Sequence, residues 1–198
     1  MEPALRRVVV GITGASGVIY GIRLLEQLSE RPDVETHLVI SRAGALTITE
    51  ETDCAPADVA AMADVLHSHQ NVGASIASGS FPVHGMVVAP CSMRTLGAIA
   101  NSLADSLLTR AADVTLKEGR PLVLMVRETP LHRGHLRLMS LAAEAGAIIA
   151  PPMPAFYHRP ETVQEIVDHT TSRVLDRLGL TDTGTRPWQG LGRPGVEA

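Results

Sequence analysis

The stretch "VVVGITGASGVIYGIRLLEQL", Val8 to Leu28, decides the fold. Val8 to Ile12 is apolar and rich in β-branched residues without alternation, the pattern of a strand buried on both faces of a parallel sheet. Thr13 to Gly17 is a turn of small residues, and Ile19, Ile22, Leu25 and Leu28 then recur at helical spacing. Strand, glycine turn and helix place backbone N–H groups at a helix N-terminus, where an anion is stabilised. The spacing is Gly11-x-x-Gly14-x-x-Gly17 with Ser16 at the tip, not the G-x-G-x-x-G of dinucleotide-binding turns. A tight turn that binds nothing is the alternative for a lone glycine loop.

Outward from this unit the chain repeats the same alternation. After the turn Arg31-Pro32-Asp33, Val34 to Ile40 ("VETHLVI") reads as a second strand ending at Ser41, followed by a helix to about Glu50. Pro56 to Leu66 reads as another helix, with Pro56 in its first turn, and Asn71 to Ser80 as a loop of small residues. Gly85 to Ala89, Pro121 to Val126 and Ala147 to Ala150 complete five strands. Between and after them, helices are expected over Thr95 to Ala112, Leu136 to Ala145 and Glu161 to Leu178. Alternating strands and helices predict an α/β protein, a parallel sheet with helices on both faces. The segment from Gly179 onward is Gly/Pro-rich and reads as an extended arm; residues 1–180 are expected to form one domain and residues 181–198 the arm.

Composition narrows the function. The 198 residues are 45% hydrophobic and 19% charged, as in globular chains. A net charge of −4 and an aromatic content of 3% argue against a nucleic-acid partner, which calls for a basic face or stacking platforms. Two cysteines make no disulfide framework, and Met1 to Arg7 leads straight into a strand, so a cytoplasmic protein is expected. The apolar stretch Leu136 to Tyr157 is broken by Arg137, Glu144 and several prolines and is not read as a membrane span.

Ligands of open parallel sheets sit beyond the C-terminal strand ends. Polar residues follow every predicted strand: Thr13-Gly14-Ala15-Ser16, Ser41-Arg42, Ser92-Met93-Arg94-Thr95, Arg127-Glu128 and Tyr157-His158-Arg159. Ser41 stands where an NAD site wants an acidic residue for the ribose, which weakens the NAD reading. Ser92 and Thr95 fit a helix N-cap, with or without a ligand, and Arg94 adds a cation. Arg127-Glu128, directly after "LVLMV", is either a structural ion pair with Lys117, Arg110 or Arg133, or a proton-transfer carboxylate among cations that bind an anion. His132 and His135 have metal-pair spacing but read as a solvated helix start, and Cys91 reads as a buried small residue.

Several blocks then carry a resemblance: "GITGASGVIYGIRLL", "VETHLVISRA", "PCSMRTLGAIA", "RAADVTLKEGRPLVLMVRETPLH" and "PPMPAFYHRPETVQEIVDHTTSRVLD". From about Val8 to Leu180 the chain resembles the flavin prenyltransferases of the UbiX type. The resemblance implies a flavodoxin-like Rossmann three-layer sandwich, a trimer-based dodecamer with sites at subunit boundaries, and no metal. It implies transfer of the dimethylallyl group of dimethylallyl phosphate to N5 and C6 of reduced FMN. Prenylated FMN would then pass to a UbiD-type decarboxylase.

By the same resemblance Gly14, Ala15, Ser16, Ser41, Ser92, Met93, Arg94, Thr95 and Arg127 bind FMN. Tyr157, Arg173, Lys117 and Arg110 bind the prenyl donor, and Glu128, Lys117, Glu51 and Ser16 carry the chemistry. Cations and hydroxyls suit a departing phosphate, and Glu128 suits a proton relay. Some relatives carry a Trp shortly before "SGS", where this chain has "GASIASGSF", and Gly119 stands where others have Arg. A non-catalytic protein that binds FMN and delivers it to a decarboxylase is the alternative. Relatives that decarboxylate a cysteinyl substrate usually carry an early catalytic His, and the first loop here has none.

Overall fold

The computed structural model describes residues 5–180. Among them, six strands form one sheet: β1 (Arg6–Ile12), β2 (Val34–Ile40), β3 (Val65–His67), β4 (Gly85–Cys91), β5 (Leu122–Val126) and β6 (Ile148–Ile149). Their order is β3-β2-β1-β4-β5-β6 and every pairing is parallel. Without β3 this is the 2-1-3-4-5 order of flavodoxin-like sheets; β3 extends it beyond β2. Winding reverses between β1 and β4, so their C-terminal ends flank the switch-point crevice.

The helices that cover the faces are α1 (Val18–Ser29), α2 (Arg42–Glu51), α3 (Pro56–Ala60), α4 (Met93–Ala100), α5 (Leu107–Lys117), α6 (Arg133–Glu144) and α7 (Val163–Arg177). Side-chain alternation along β1 sorts them. Val8, Val10 and Ile12 join Leu24 and Leu25 of α1 and Leu175 of α7 in one buried cluster. Val9 faces the other way, into a cluster with Leu96 of α4, Leu108 and Ala112 of α5 and Ala142 of α6. All five residues of β5 are buried, as expected for a strand covered on both faces.

The structure corrects the reading of Pro56 to Leu66 as one helix. Helix α3 stops at Ala60, and Val65 to His67 pairs with His37 to Val39 of β2. Asp64 causes the diversion: its carboxylate accepts bonds from the Thr36 N–H (2.7 Å) and hydroxyl (2.8 Å), and its own N–H donates to the same hydroxyl. That long-range clamp overrides a helical propensity that resides mainly in Ala57, Ala60, Ala61 and Ala63. The helices expected from Thr95 to Ala112 are two, α4 and α5, the second running on to Lys117. The helical span breaks at 101–106, where Ser102 takes φ 54, and restarts at the Ser106 cap. The arm expected at residues 181–198 lies outside the described residues. No helix among the described residues is long and apolar enough to cross a membrane.

Candidate functional site

At the switch point the buried Thr13 ties the two diverging strands together. Its hydroxyl donates to the Pro90 carbonyl (2.7 Å) and accepts the Ser92 N–H (2.8 Å). The loops after β1 and β4 are therefore fixed to one another, and a cavity of about 210 Å³ opens beside them.

Three helices begin at this cavity, each capped by a serine. Ser41 accepts the Gly44 N–H (3.0 Å) at the start of α2. Ser92 accepts the Thr95 N–H (3.4 Å) at the start of α4, and Ser106 accepts the Thr109 N–H (3.3 Å) at the start of α5. Ser41, Ser92, Thr95, Ser106 and Thr109 all line the cavity, with Gly14 and Arg94. Three helix dipoles converging with this many hydroxyls make an anion-binding concavity. Gly14 keeps the first loop close to α2, since a Cβ there would lie 2.3 Å from the Ala43 Cβ. Arg94, with its side chain 79% exposed, stands at the mouth, paired with Asp105 at 3.1 Å. His69 also lines the cavity, and its buried Nδ1 has no hydrogen-bond partner among the described residues. Burial first, then the Arg94 charge, lowers its pKa against the opposing pull of Asp105.

The N-terminus of α1, the anion site that the first loop suggested, holds a carboxylate of the chain itself. Gly17, at φ 97, caps α1 without a side chain. Glu51, from the far end of α2, accepts the N–H groups of Gly17 (2.8 Å) and Val18 (3.2 Å). Burial pushes the Glu51 carboxyl up, but the Ser16 hydroxyl, those two N–H groups and the Arg127 charge outweigh it and hold the pKa below its usual value. Ser16, Glu51 and Arg127 thus meet within one chain. The helix N-termini left for an external anion at this crevice are those of α2, α4 and α5.

Arg127 and Glu128 follow β5 and are exposed, and the Arg127 N–H donates to the Cys91 carbonyl at 3.1 Å. Glu128 makes no ion pair with Lys117, Arg110 or Arg133 among the described residues; it accepts its neighbour's Thr129 N–H at 3.0 Å. Ala15 and Met93 are half-buried, Met93 packed on the core beneath α4.

The residues assigned to the prenyl donor lie elsewhere. Lys117 is the last residue of α5, about 15 Å along the helix axis from the cavity end, and it pairs with Glu118. Arg110 pairs with Asp113 (2.9 Å) and donates to the Ala77 carbonyl (3.2 Å). Tyr157 and Arg173 stand at the β6–α7 edge, where Arg173 lines a second cavity of about 310 Å³. One chain therefore does not bring Lys117 to Glu128, which lies at the opposite end of the sheet.

Ser106, Thr109 and His69 were not anticipated. The signal for the first two was present: Ser106-x-x-Thr109 is a capping pattern, inside a helical span whose internal break was not located. His132 caps α6, its Nδ1 accepting the Gly134 N–H at 3.0 Å. Burial pushes the Cys91 thiol up to about 12, which leaves it inert at neutral pH.

A doubly wound sheet with convergent helix N-termini at its switch point defines a nucleotide-binding α/β protein. Comparison with known proteins narrows that class. The family model described as flavoprotein matches residues 2–175. The flavin prenyltransferase UbiX of Escherichia coli K12 is 56% identical over 189 residues, which cover 94% of this chain and 100% of that protein. Among solved structures, the dodecameric FMN-dependent UbiX-like decarboxylase of Escherichia coli O157:H7 is 51% identical, with a TM-score of 0.90 over 93% of this chain and 100% of that one. AnUbiX, in complex with FMN and dimethylallyl pyrophosphate, is 45% identical, with a TM-score of 0.91 over 95% of this chain and 100% of that one. The chain belongs to the UbiX family of flavin prenyltransferases.

Proposed function

We propose that this protein joins the dimethylallyl group of dimethylallyl phosphate to N5 and C6 of reduced FMN, making prenylated FMN. The observation that carries the reading is the meeting of α2, α4 and α5, each serine-capped, on one cavity at the switch point, with Ser16, Glu51 and Arg127 alongside. The cavity suits the phosphate and hydroxylated tail of FMN: Ser41, Ser92, Thr95 and Ser106 supply hydroxyls and the helix starts supply N–H groups. The open Nδ1 of His69 adds one more polar contact. At about 210 Å³ the cavity would take that end of the molecule, and Met93, Ser16 and Arg127 would be left to hold the ring system.

Reduced FMN supplies the nucleophile for the transfer. The chain holds the donor, steadies the phosphate that leaves and handles protons. Arg173, Arg110, Lys117 and the Tyr157 hydroxyl bind the phosphate, whose charge grows as the carbon–oxygen bond breaks. Glu128, exposed and free of ion pairs among the described residues, moves a proton between flavin and phosphate. Glu51, kept ionised by its hydrogen bonds, faces positive charge developing on the allylic fragment. Lys117 and Arg110 reach this chemistry from a neighbouring protomer of a trimer-based dodecamer, the assembly state of the 51%-identical relative being dodecameric. The product passes to a UbiD-type decarboxylase, and the protein works in the cytoplasm, in keeping with its two free thiols.

The test is anaerobic incubation with reduced FMN and dimethylallyl phosphate, followed by mass spectrometry of the released flavin. A flavin heavier by one five-carbon unit is the expected result. Unmodified FMN, tightly bound by well-assembled protein, would overturn the reading in favour of a flavin-delivery protein.

A further inference from the structure

Tyr157 is 49% exposed and lies on an irregular segment between β6 and α7, where a tyrosine ring would ordinarily sample several orientations. The structure fixes it against two histidines. Its hydroxyl oxygen lies 2.9 Å from Nε2 of His169. Its ring meets His158 edge-on at 5.4 Å and His169 edge-on at 5.6 Å, while the two imidazoles stack on one another at 4.3 Å. His169 and Arg173 are one helical turn apart on α7, line the same cavity of about 310 Å³ and share it with Arg177. Arg173 is paired with Asp176 at 3.1 Å, but no carboxylate lines the cavity itself among the described residues, so its two arginines and histidine suit an anion.

Resting on the function proposed above, we infer that His169 is a positioning residue for the prenyl donor's phosphate. Its Nε2–H donates to the Tyr157 hydroxyl oxygen and turns the hydroxyl proton toward the anion held at Arg173. Two tautomers of a neutral imidazole are possible at this contact. With the proton on Nε2, histidine, tyrosine and phosphate form a continuous chain of donors in which each bond strengthens the next. With the proton on Nδ1, the phenol spends its own proton on His169 and shows the phosphate only lone pairs. An anion beside Arg173 selects the first arrangement. Burial, then the neighbouring His158 and Arg173, lowers the His169 pKa and favours the neutral ring.

Three variants test this: His169→Phe keeps a stacking ring without a donor, His169→Gln keeps an amide donor, and Tyr157→Phe removes the hydroxyl. Dimethylallyl phosphate binding is measured by calorimetry on protein loaded with oxidised FMN, and KM and kcat are measured anaerobically with reduced FMN. His169→Phe and Tyr157→Phe should each weaken donor binding roughly tenfold and raise KM to match, with FMN affinity unchanged. His169→Gln should recover most of the loss, and the double Phe variant should bind no more weakly than Tyr157→Phe alone. Wild-type donor affinity in His169→Phe, or losses that add in the double variant, would overturn the inference. If His169→Phe assembles poorly, His169→Gln decides: near-wild-type binding supports the inference and a tenfold loss overturns it. Wild-type protein that transfers no prenyl group would instead sink the proposed function, so the two failures are distinguishable.

Discussion

The two cavities are built from different materials. The one at the β1/β4 switch point is made largely of backbone: three helix starts, three serine caps and a threonine that ties two strand ends together. The one at the β6–α7 edge takes its polar lining from side chains, His169, Arg173 and Arg177, with Arg173 about half exposed, and Met153 in the same lining is 73% exposed. Backbone N–H groups cannot move without unfolding a helix, so the first site is preorganised for whatever anion fits it. Long exposed side chains adjust and can be completed by a neighbour, which suits a site that must release phosphate after every turnover.

The sharpest way to break this comparison is to remove Glu128, the proposed proton carrier. Glu128→Gln should cut kcat at least a hundredfold while FMN affinity holds, a split read by turnover and by flavin titration. Full turnover in that variant would remove Glu128 from the chemistry. Lys117→Ala should be similarly inactive. Because Lys117 and Glu128 lie at opposite ends of the sheet, mixed oligomers of the two variants should regain activity that neither shows alone. A mixture as dead as its components would mean that both groups act within one chain.

Ser106→Ala tests the backbone-built side. It should weaken FMN binding roughly tenfold, destabilise the fold by about 1 kcal/mol and leave the affinity for dimethylallyl phosphate unchanged, as read by calorimetry and thermal melts. An equal loss for both ligands would erase the distinction between the cavities. The smallest effect concerns Glu51. Its folded pKa lies below its ordinary value near 4.5, so its contribution is present above that pH and lost as pH falls through the folded pKa. Melting of the wild type and Glu51→Gln should therefore differ by a constant few degrees at pH 6 to 7, and the gap should start to close near pH 4.5 and vanish only below the folded pKa. A gap that persists into acid would show that the carboxylate's charge contributes nothing to holding α1.

The two cavities were also unequally legible. Strand ends and serine caps are local features, so Ser41, Ser92 and Thr95 could be placed on the site from short patterns. The Ser106 cap was obscured because the break between α4 and α5 was not located within their shared span, and β3 because its pairing depends on Asp64 reaching Thr36 across 28 positions. Glu51 capping α1 is a contact over 34 positions, invisible to any window of neighbouring residues. Tyr157 could be placed at a strand end, but its role and those of Arg173, Lys117 and Arg110 as donor-binding residues came from family resemblance. Nothing in their spacing joins them, and within one chain the fold does not join all of them either.

That contact between Glu51 and α1 bears on how the chain behaves among the many nucleotides of a cell. A free anion approaching the N–H groups of Gly17 and Val18 has to displace a carboxylate tethered to the same polypeptide. Tethered groups compete at effective concentrations that reach the millimolar range. The most familiar docking pole of this architecture is thus kept occupied by an internal competitor. Any pyrophosphate that would dock at this helix start meets a carboxylate already holding its N–H groups.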